Sequence, residues 1–312
     1  MGGFVALVWG ADRFVVGSAA TARNLGVAPL VVGLTIVGIG TSAPEMLVSA
    51  VAAWQGNGGL SIGNAIGSNI TNVALVIGAA AITRPLVVHS KIIRRELPLL
   101  LAIMAVVLVL MLDGTLGRWD GALLLGGMAA LLAWITYQGV RGRRDEIDPL
   151  VAEYEAEIPE GMPTGRALVW LLVGLVVLLG SSHLLVWGAA HLTTHFGVSD
   201  LVIGLTVVAI GTSLPELAAS VTAALKNEHD IAVGNVVGSN MFNLLGVLGL
   251  PGLIAPGPFD PAALNRDVPV MIGLTVILLL MARGFGEHGR LSRVQGALLV
   301  AAFAGYLAVV YV

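Results

Sequence analysis

Two short stretches hold the residues best suited to chemistry: Gly40-Thr41-Ser42-Ala43-Pro44-Glu45 and Gly211-Thr212-Ser213-Leu214-Pro215-Glu216. Each sits inside a hydrophobic run. An acid at membrane depth is costly and marks function by default. Pro44 and Pro215 lack an N–H and crowd the carbonyls four residues back, at Gly40 and Gly211, so each helix should break there. Carbonyls freed around Gly40-Thr41 and Gly211-Thr212 need partners where water is scarce, and a bound cation is one. Thr41, Glu45 and Ser49 fall on one helical face, as do Thr212, Glu216 and Ser220. On the next segment of each half, Ser68 and Asn72, and Ser239 and Asn243, are again four apart.

Each half therefore offers a carboxylate, hydroxyls, a carboxamide and loose carbonyls. All are hard oxygen donors and select hard cations. Two bidentate glutamates, Glu45 and Glu216, with the Thr41 and Thr212 carbonyls would give about six contacts, which fits the flexible shell of calcium better than the tight octahedron of magnesium. Oxygen ligands also admit manganese. The paired carboxylates can be neutralised by one divalent cation, by sodium ions or by protons. Competition of two loads for one set of charges is the basis of exchange.

These stretches need an apolar frame, and the chain supplies one. Of its 312 residues, 57% are hydrophobic and only 11% charged, with mean hydropathy +0.92. Soluble domains carry about 25% charged residues. The composition predicts an all-α polytopic membrane protein. Sparse charges scattered between apolar runs make no nucleic-acid groove. The absence of cysteine excludes disulfides, thiolate metal sites and cysteine nucleophiles. Met1-Gly2-Gly3 lacks a basic leader, so no cleaved signal peptide is expected. Ten segments, near 3–22, 28–54, 60–82, 96–112, 119–139, 167–192, 200–225, 231–254, 267–282 and 294–312, reach or approach the roughly 20 residues of a bilayer crossing.

The chain is also duplicated. An offset of 171 aligns residues 27–78 with 198–249 without a gap and with nearly half the positions identical. Gly33-Leu34-Thr35 matches Gly204-Leu205-Thr206, Gly63-Asn64 matches Gly234-Asn235, and Gly67-Ser68-Asn69 matches Gly238-Ser239-Asn240. The units expected are a first five-helix repeat over 1–140, an acidic solvated linker over 141–166 and a second repeat over 167–312. The offset places the partner of Leu168 before Met1, so the first helix is shorter or the chain begins upstream. Lys and Arg concentrate on one side of the alternating connections: Arg23, Arg84, Lys91, Arg94, Arg95, Arg141, Arg143, Arg144, Arg166, Lys226, Arg283, Arg290 and Arg293. The other side has only Arg118 and Arg266. That makes the first side cytoplasmic, with the linker, and both termini extracytoplasmic. An odd number of spans per half makes the repeats inverted, with helices 2 and 7 broken, and suits alternating access.

Other polar residues have plainer readings. Asn69 and Asn240 are expected to bond backbone. Asp12 and Arg13 have no repeat counterpart and are read as packing or interfacial. His183, His191 and His195 are read as structural. His89, with Lys91, Arg94 and Arg95, is read as an amphipathic interfacial stretch.

On these residues the chain resembles the cation/calcium antiporter superfamily, sodium/calcium exchanger type. The resemblance rests on two motif regions, 33–78 and 204–249, each with Gly-Thr-Ser-x-Pro-Glu and Gly-Asn-x-x-Gly-Ser-Asn. It implies calcium between Glu45 and Glu216 with Thr41 and Thr212 carbonyls as ligands. It implies sodium sites using Ser42, Ser68, Ser213, Ser239 and the Ala209 backbone, with Asn72 and Asn243 as accessory groups. It also implies that spans one and six slide as a gating pair. Several such exchangers carry an aspartate where this chain has Asn243, which argues here against potassium dependence. The proton-coupled branch usually shows Gly-Asn in place of Gly-Thr-Ser, so calcium-for-sodium antiport is preferred and proton/calcium exchange is the alternative. A secondary transporter is expected, not an enzyme: no cofactor, calcium and sodium as the transported ions, the cell membrane as location, and a monomer as the working unit. Neither a channel filter nor a convincing intramembrane protease site is present.

Overall fold

Among the described residues, helices occupy the hydrophobic segments read from the sequence; of the segment near 28–54 only the part from Ser42 on is described. A computed structural model describes residues 2–25, 42–88, 91–141, 161–283 and 289–311. Residues 33–41, among them Gly40 and the expected ligand Thr41, lie outside the described residues, as do His89 and most of the 141–166 linker. The side chains of Lys91, Arg94 and His195 are likewise outside the description. The helices are α1 (Gly2–Asn24), α2 (Ala43–Trp54), α3 (Gly58–Thr83), α4 (Lys91–Met111), α5 (Arg118–Arg141) and α6 (Thr164–Phe196). There follow α7 (Asp200–Thr212), α8 (Leu214–Lys226), α9 (His229–Ile254), α10 (Ala263–Ala282) and α11 (Arg293–Val310).

Among the described residues, five helices are long and apolar enough to cross a membrane: α3, α6, α9, α10 and α11. The pair α7–α8, bent by 44°, makes a sixth if read as one span. Burial sorts them. In α3 and α9, 83% and 94% of the apolar window is buried, against 28% in α6 and α11 and 33% in α10. The first two are central and the others present apolar faces outward, because lipid is no worse a partner for leucine than another helix.

Two features were not expected from the sequence. The first is a set of π turns. α3 widens at Asn72–Val76 and α9 at Asn243–Val247, with the Leu248 N–H reaching back to the Asn243 carbonyl at 2.9 Å. The two turns are 171 residues apart. Two more widen α7 at Gly204–Val208 and the start of α10 at Ala263–Asp267. Such one-turn insertions recur at functional sites. The second is a pair of short antiparallel ladders, which corrects the all-α expectation. β1 (Leu86–Val88) pairs with β4 (Gly289–Leu291), and β2 (Thr115–Leu116) with β3 (Gly257–Pro258). Leu86 and Gly257 are again 171 apart. Chain leaving a helix end must find partners for its N–H and C=O groups, and here one half's connection pairs with the other's.

α1 and α6 run antiparallel in close contact. Gly3 lies beside Leu185, Gly10 beside Val177 and Gly17 beside Leu171. A Cβ on Gly17 or Gly174 would overlap the partner backbone, so small residues set this spacing. Arg13 stacks over Trp170 of α6 at 4.9 Å and pairs with Asp12 at 3.5 Å, the packing role expected of both. His183 bonds Gln55, just past the end of α2, at 3.3 Å, and His191 meets the Trp187 carbonyl at 3.0 Å. Small apolar clusters around Leu7 and Leu178, and around Val48 and Val186, join this pair to the rest.

A second close crossing sets the centre. A Cβ on Gly63 of α3 would strike the backbone at Leu201 and Leu205, and one on Gly204 would strike Leu60 and Asn64. The backbones of α3 and α7 therefore touch, which brings the α7–α8 break against α3. At the far end, α11 ties down its neighbours. The Tyr306 hydroxyl donates to the buried Asp267, itself paired with Arg266 at 2.7 Å, and the Tyr311 and Thr206 hydroxyls meet at 2.8 Å.

Candidate functional site

α2 and α8 begin in the same local form. α2 starts after Ser42 (φ −86°, ψ 2°) and α8 after Ser213 (φ −81°, ψ 5°), each with its proline in the first turn. A serine at a helix start ordinarily accepts from the N–H groups of the first turn. Ser199 and Ser292 do so for α7 and α11. Ser42 and Ser213 make no such bond. Their hydroxyls go to the opposite half instead: Ser213 donates to Glu45 Oε1 at 3.4 Å, and Ser42 to Ser239 Oγ at 2.9 Å. Glu45 and Glu216 sit in the first turns of α2 and α8, where the helix dipole favours a negative charge.

Ser239 is a junction. It accepts from Ser42, accepts from Asn72 Nδ2 at 3.3 Å, and donates to Glu216 Oε1 at 3.1 Å. Asn72 also donates to Asn240 Oδ1 at 3.0 Å. Asn240 in turn donates to the Asn69 carbonyl, and Asn69 to the Ala65 carbonyl, so both bond backbone as expected. Asn240 additionally stitches α9 to α3, which the sequence did not indicate.

Asn64 is the residue the sequence reading passed over. It donates to the Glu45 carbonyl at 3.2 Å and to Ser49 Oγ at 3.0 Å, while its Oδ1 faces the Thr212 hydroxyl at 3.1 Å. It thus ties α2 to the end of α7, beside the α7–α8 break. Ser49 and Ser61 bond each other's carbonyls alongside it. The duplicated Gly-Asn dipeptide was the available signal, and Asn235 repeats part of the contact, donating to Ser220 at 3.4 Å. The Thr212 hydroxyl also lies 3.5 Å from Ser68 and 3.3 Å from the Ala209 carbonyl. The Ala209 carbonyl accepts the Ser213 N–H as well, so its lone pairs are engaged in this conformation.

Of the residues singled out by the sequence, Ser42, Glu45, Ser68, Asn72, Thr212, Ser213, Glu216, Ser239 and Asn243 are all buried polar groups. The bonds above tie Glu45, Ser68, Thr212 and Ser213 into one network, through Asn64, and Ser42, Asn72, Glu216 and Ser239 into a second; Asn243 lies on α9 one turn beyond Ser239. Both carboxylates are fully inaccessible, yet Glu45 Oε2 and Glu216 Oε2 have no hydrogen-bond partner. Asn72 Oδ1 and both amide atoms of Asn243 are in the same position. Buried polar atoms are nearly always paired, and leaving a charged one unpaired is expensive. Four of these five atoms are oxygens, a donor set suited to a hard cation.

The geometry is that of a helical membrane protein with a buried, acidic, oxygen-lined centre. The sodium/calcium exchanger protein family model matches residues 1–137 and 166–312. The chain is 52% identical over 304 residues to a protein of Alkalimonas amylolytica provisionally named antiporter CaxA, covering 97% of this chain and 95% of that one. It is 31% identical over 341 residues to the sodium/calcium exchanger MaX1 of Methanosarcina acetivorans, covering 99% and 96%. A solved structure of the sodium-calcium exchanger NCX_Mj, soaked with Na+ and Sr2+, superposes with TM-score 0.68 at 36% identity, covering 98% of this chain and 95% of that one. The chain belongs to the sodium/calcium exchanger family, within the cation/calcium antiporter superfamily.

Proposed function

We propose that the protein exchanges calcium for sodium across the cell membrane at the site between Glu45 and Glu216. The observation that carries this reading is the pair of buried carboxylates, each with one oxygen bonded by a serine and the other unpaired. Calcium engages the free oxygens and takes both glutamates bidentately as the serines let go, and the Thr212 and Thr41 carbonyls bring the contacts to about six. Sodium ions use the serine hydroxyls, Asn72, Asn243 and the Ala209 carbonyl, which the Thr212 hydroxyl must release. The ions are the transported load; no resident cofactor or enzymatic step is involved.

In this reading α1, α4, α5 and the α2 and α7–α8 segments join the five clear spans to make ten, arranged as inverted five-helix repeats over 1–140 and 167–312. The repeat-related π turns and ladders and the antiparallel α1–α6 pair support that arrangement. Both termini face outward and the linker over 141–166 faces the cytoplasm. One chain holds both halves of the site, so a monomer suffices. The α1–α6 pair slides against the core across the small apolar clusters that join them. The network is asymmetric although the sequence is not: Ser239 bonds Glu216, whereas its counterpart Ser68 approaches Thr212. Two equal halves in unequal conformations are what alternating access requires.

The test is calcium uptake into proteoliposomes with either a sodium or a pH gradient imposed. Uptake should follow the sodium gradient; uptake driven by the pH gradient alone would replace sodium with protons. The Ser239 junction gives a second expectation. Ser239→Ala removes a bond to a buried carboxylate, worth roughly 1.5–3 kcal/mol. At 1.4 kcal/mol per decade, apparent calcium affinity should fall by about 10- to 100-fold. Ser68→Ala, which loses only a 3.5 Å approach to Thr212, should cost much less. Equal losses in the two variants would remove the junction.

A further inference from the structure

A groove of about 440 Å³ opens between α4 and α5, away from the ion site. Its walls are Leu99 and Ile103 of α4 and Leu131 and Trp134 of α5; Leu245 of α9 lies at its floor and Arg95 at its rim. The volume lies within the usual range of small-ligand pockets, about 300–1,000 Å³. Apart from Arg95 the lining is apolar. A water-filled groove of this kind is disfavoured, and in a bilayer the available apolar filler is a hydrocarbon chain.

The rim has the opposite character. The Arg95 guanidinium lies 4.6 Å from the Trp134 ring centre. Arg95 is in the second turn of α4 and Trp134 is two turns from the end of α5, so both sit at the same end of the helix pair. A tryptophan with a long cation at helix ends marks the headgroup level. The sequence adds Lys91 and Arg94 within the same turn and a half, the basic stretch that the ion site leaves unused. Clusters of this kind recognise anionic lipid headgroups. Arg95, Leu99 and Ile103 follow one face of α4 for eight residues, about 12 Å at 1.5 Å per residue, the depth of part of one acyl chain.

We propose that this groove binds one anionic phospholipid, its phosphate on Arg95 and one acyl chain laid along Leu99, Ile103 and Leu131 down to Leu245. A guanidinium carries five N–H donors in a fork that matches a phosphate, so it serves a headgroup alongside its other neighbours. The floor residue gives the site a reach into the core. Leu245 belongs to the π turn that begins at Asn243, so an occupied groove backs the turn that carries a candidate ion ligand.

Native mass spectrometry of the detergent-purified full chain tests this with phosphatidylglycerol, phosphatidylcholine and glycerol phosphate as probes. The wild-type protein should retain one phosphatidylglycerol at least tenfold more strongly than phosphatidylcholine, and glycerol phosphate should not bind. Arg95→Gln should lose the preference for the anionic lipid. Ala130→Phe, at an exposed position lining the groove, should lose retention while keeping Arg95. Equal retention of the two lipids, binding of glycerol phosphate without a chain, or unchanged retention in either variant would overturn the assignment. Calcium uptake by the variants in phosphatidylcholine vesicles, expected to match the wild type there, verifies that both remain folded.

Discussion

Glu45→Gln and Glu216→Gln should each reduce sodium-driven calcium uptake to the level of protein-free vesicles, with expression and monodispersity preserved. Both side chains are fully buried, and each has one oxygen held by a serine from the surrounding network and one without a partner. Glutamine keeps the shape and the bonded oxygen. It replaces the other oxygen with an amide that cannot ligate a cation and removes half the negative charge. Removing one member of a buried charge pair costs roughly 3–5 kcal/mol. That is a factor of roughly 140 to 4,000 in cation affinity, which a flux assay at micromolar calcium reads as loss of uptake. Folding should survive, because a buried carboxylate without a cation is itself a burden that the amide relieves. Retained calcium flux in either variant would sink the site.

The two glutamates were legible because their surroundings break the rules of an apolar helix twice. A proline and an acid inside a hydrophobic run have few structural readings, and duplication at a fixed offset removes most of them. The helix limits were legible for a similar reason: apolar runs end where the charges begin. Local hydrogen-bond geometry was not. The π turns at Asn72 and Asn243 insert one residue into a helix without any residue type that announces it. The ladders at Leu86 and Gly257 are two or three residues long, too short for an alternation to show. Asn64 entered the sequence reading only as part of a duplicated Gly-Asn dipeptide, and the close crossing with Gly204 brings its amide to both Glu45 and Thr212. Thr41 was read as the partner of Thr212 and lies outside the described residues.

Asn72 and Asn243 carry the sharpest difference between the repeat and the folded chain, and replacing each with aspartate should give opposite results. The sequence makes them equivalent. In the structure Asn72 Nδ2 donates to both Ser239 and Asn240, whereas both amide atoms of Asn243 are buried without a partner. Aspartate at 72 has no N–H for either bond. It would set a carboxylate against the Asn240 oxygen and compete for the Ser239 hydroxyl that now serves Glu216. The expected outcome is poor yield and a Tm lower by about 5–10 °C with saturating calcium, from a loss of roughly 3 kcal/mol. Aspartate at 243 breaks no existing side-chain bond and adds a third carboxylate to the proposed site. Its Tm in calcium should stay near the wild-type value, while uptake acquires a new dependence on pH or potassium as the extra charge recruits a monovalent ion. Thermal melts with and without calcium, paired with flux under varied external cation, separate the two. If both variants lose stability alike, the asymmetry between the asparagines has no functional content, and the choice of coupling ion must be sought in the serines instead.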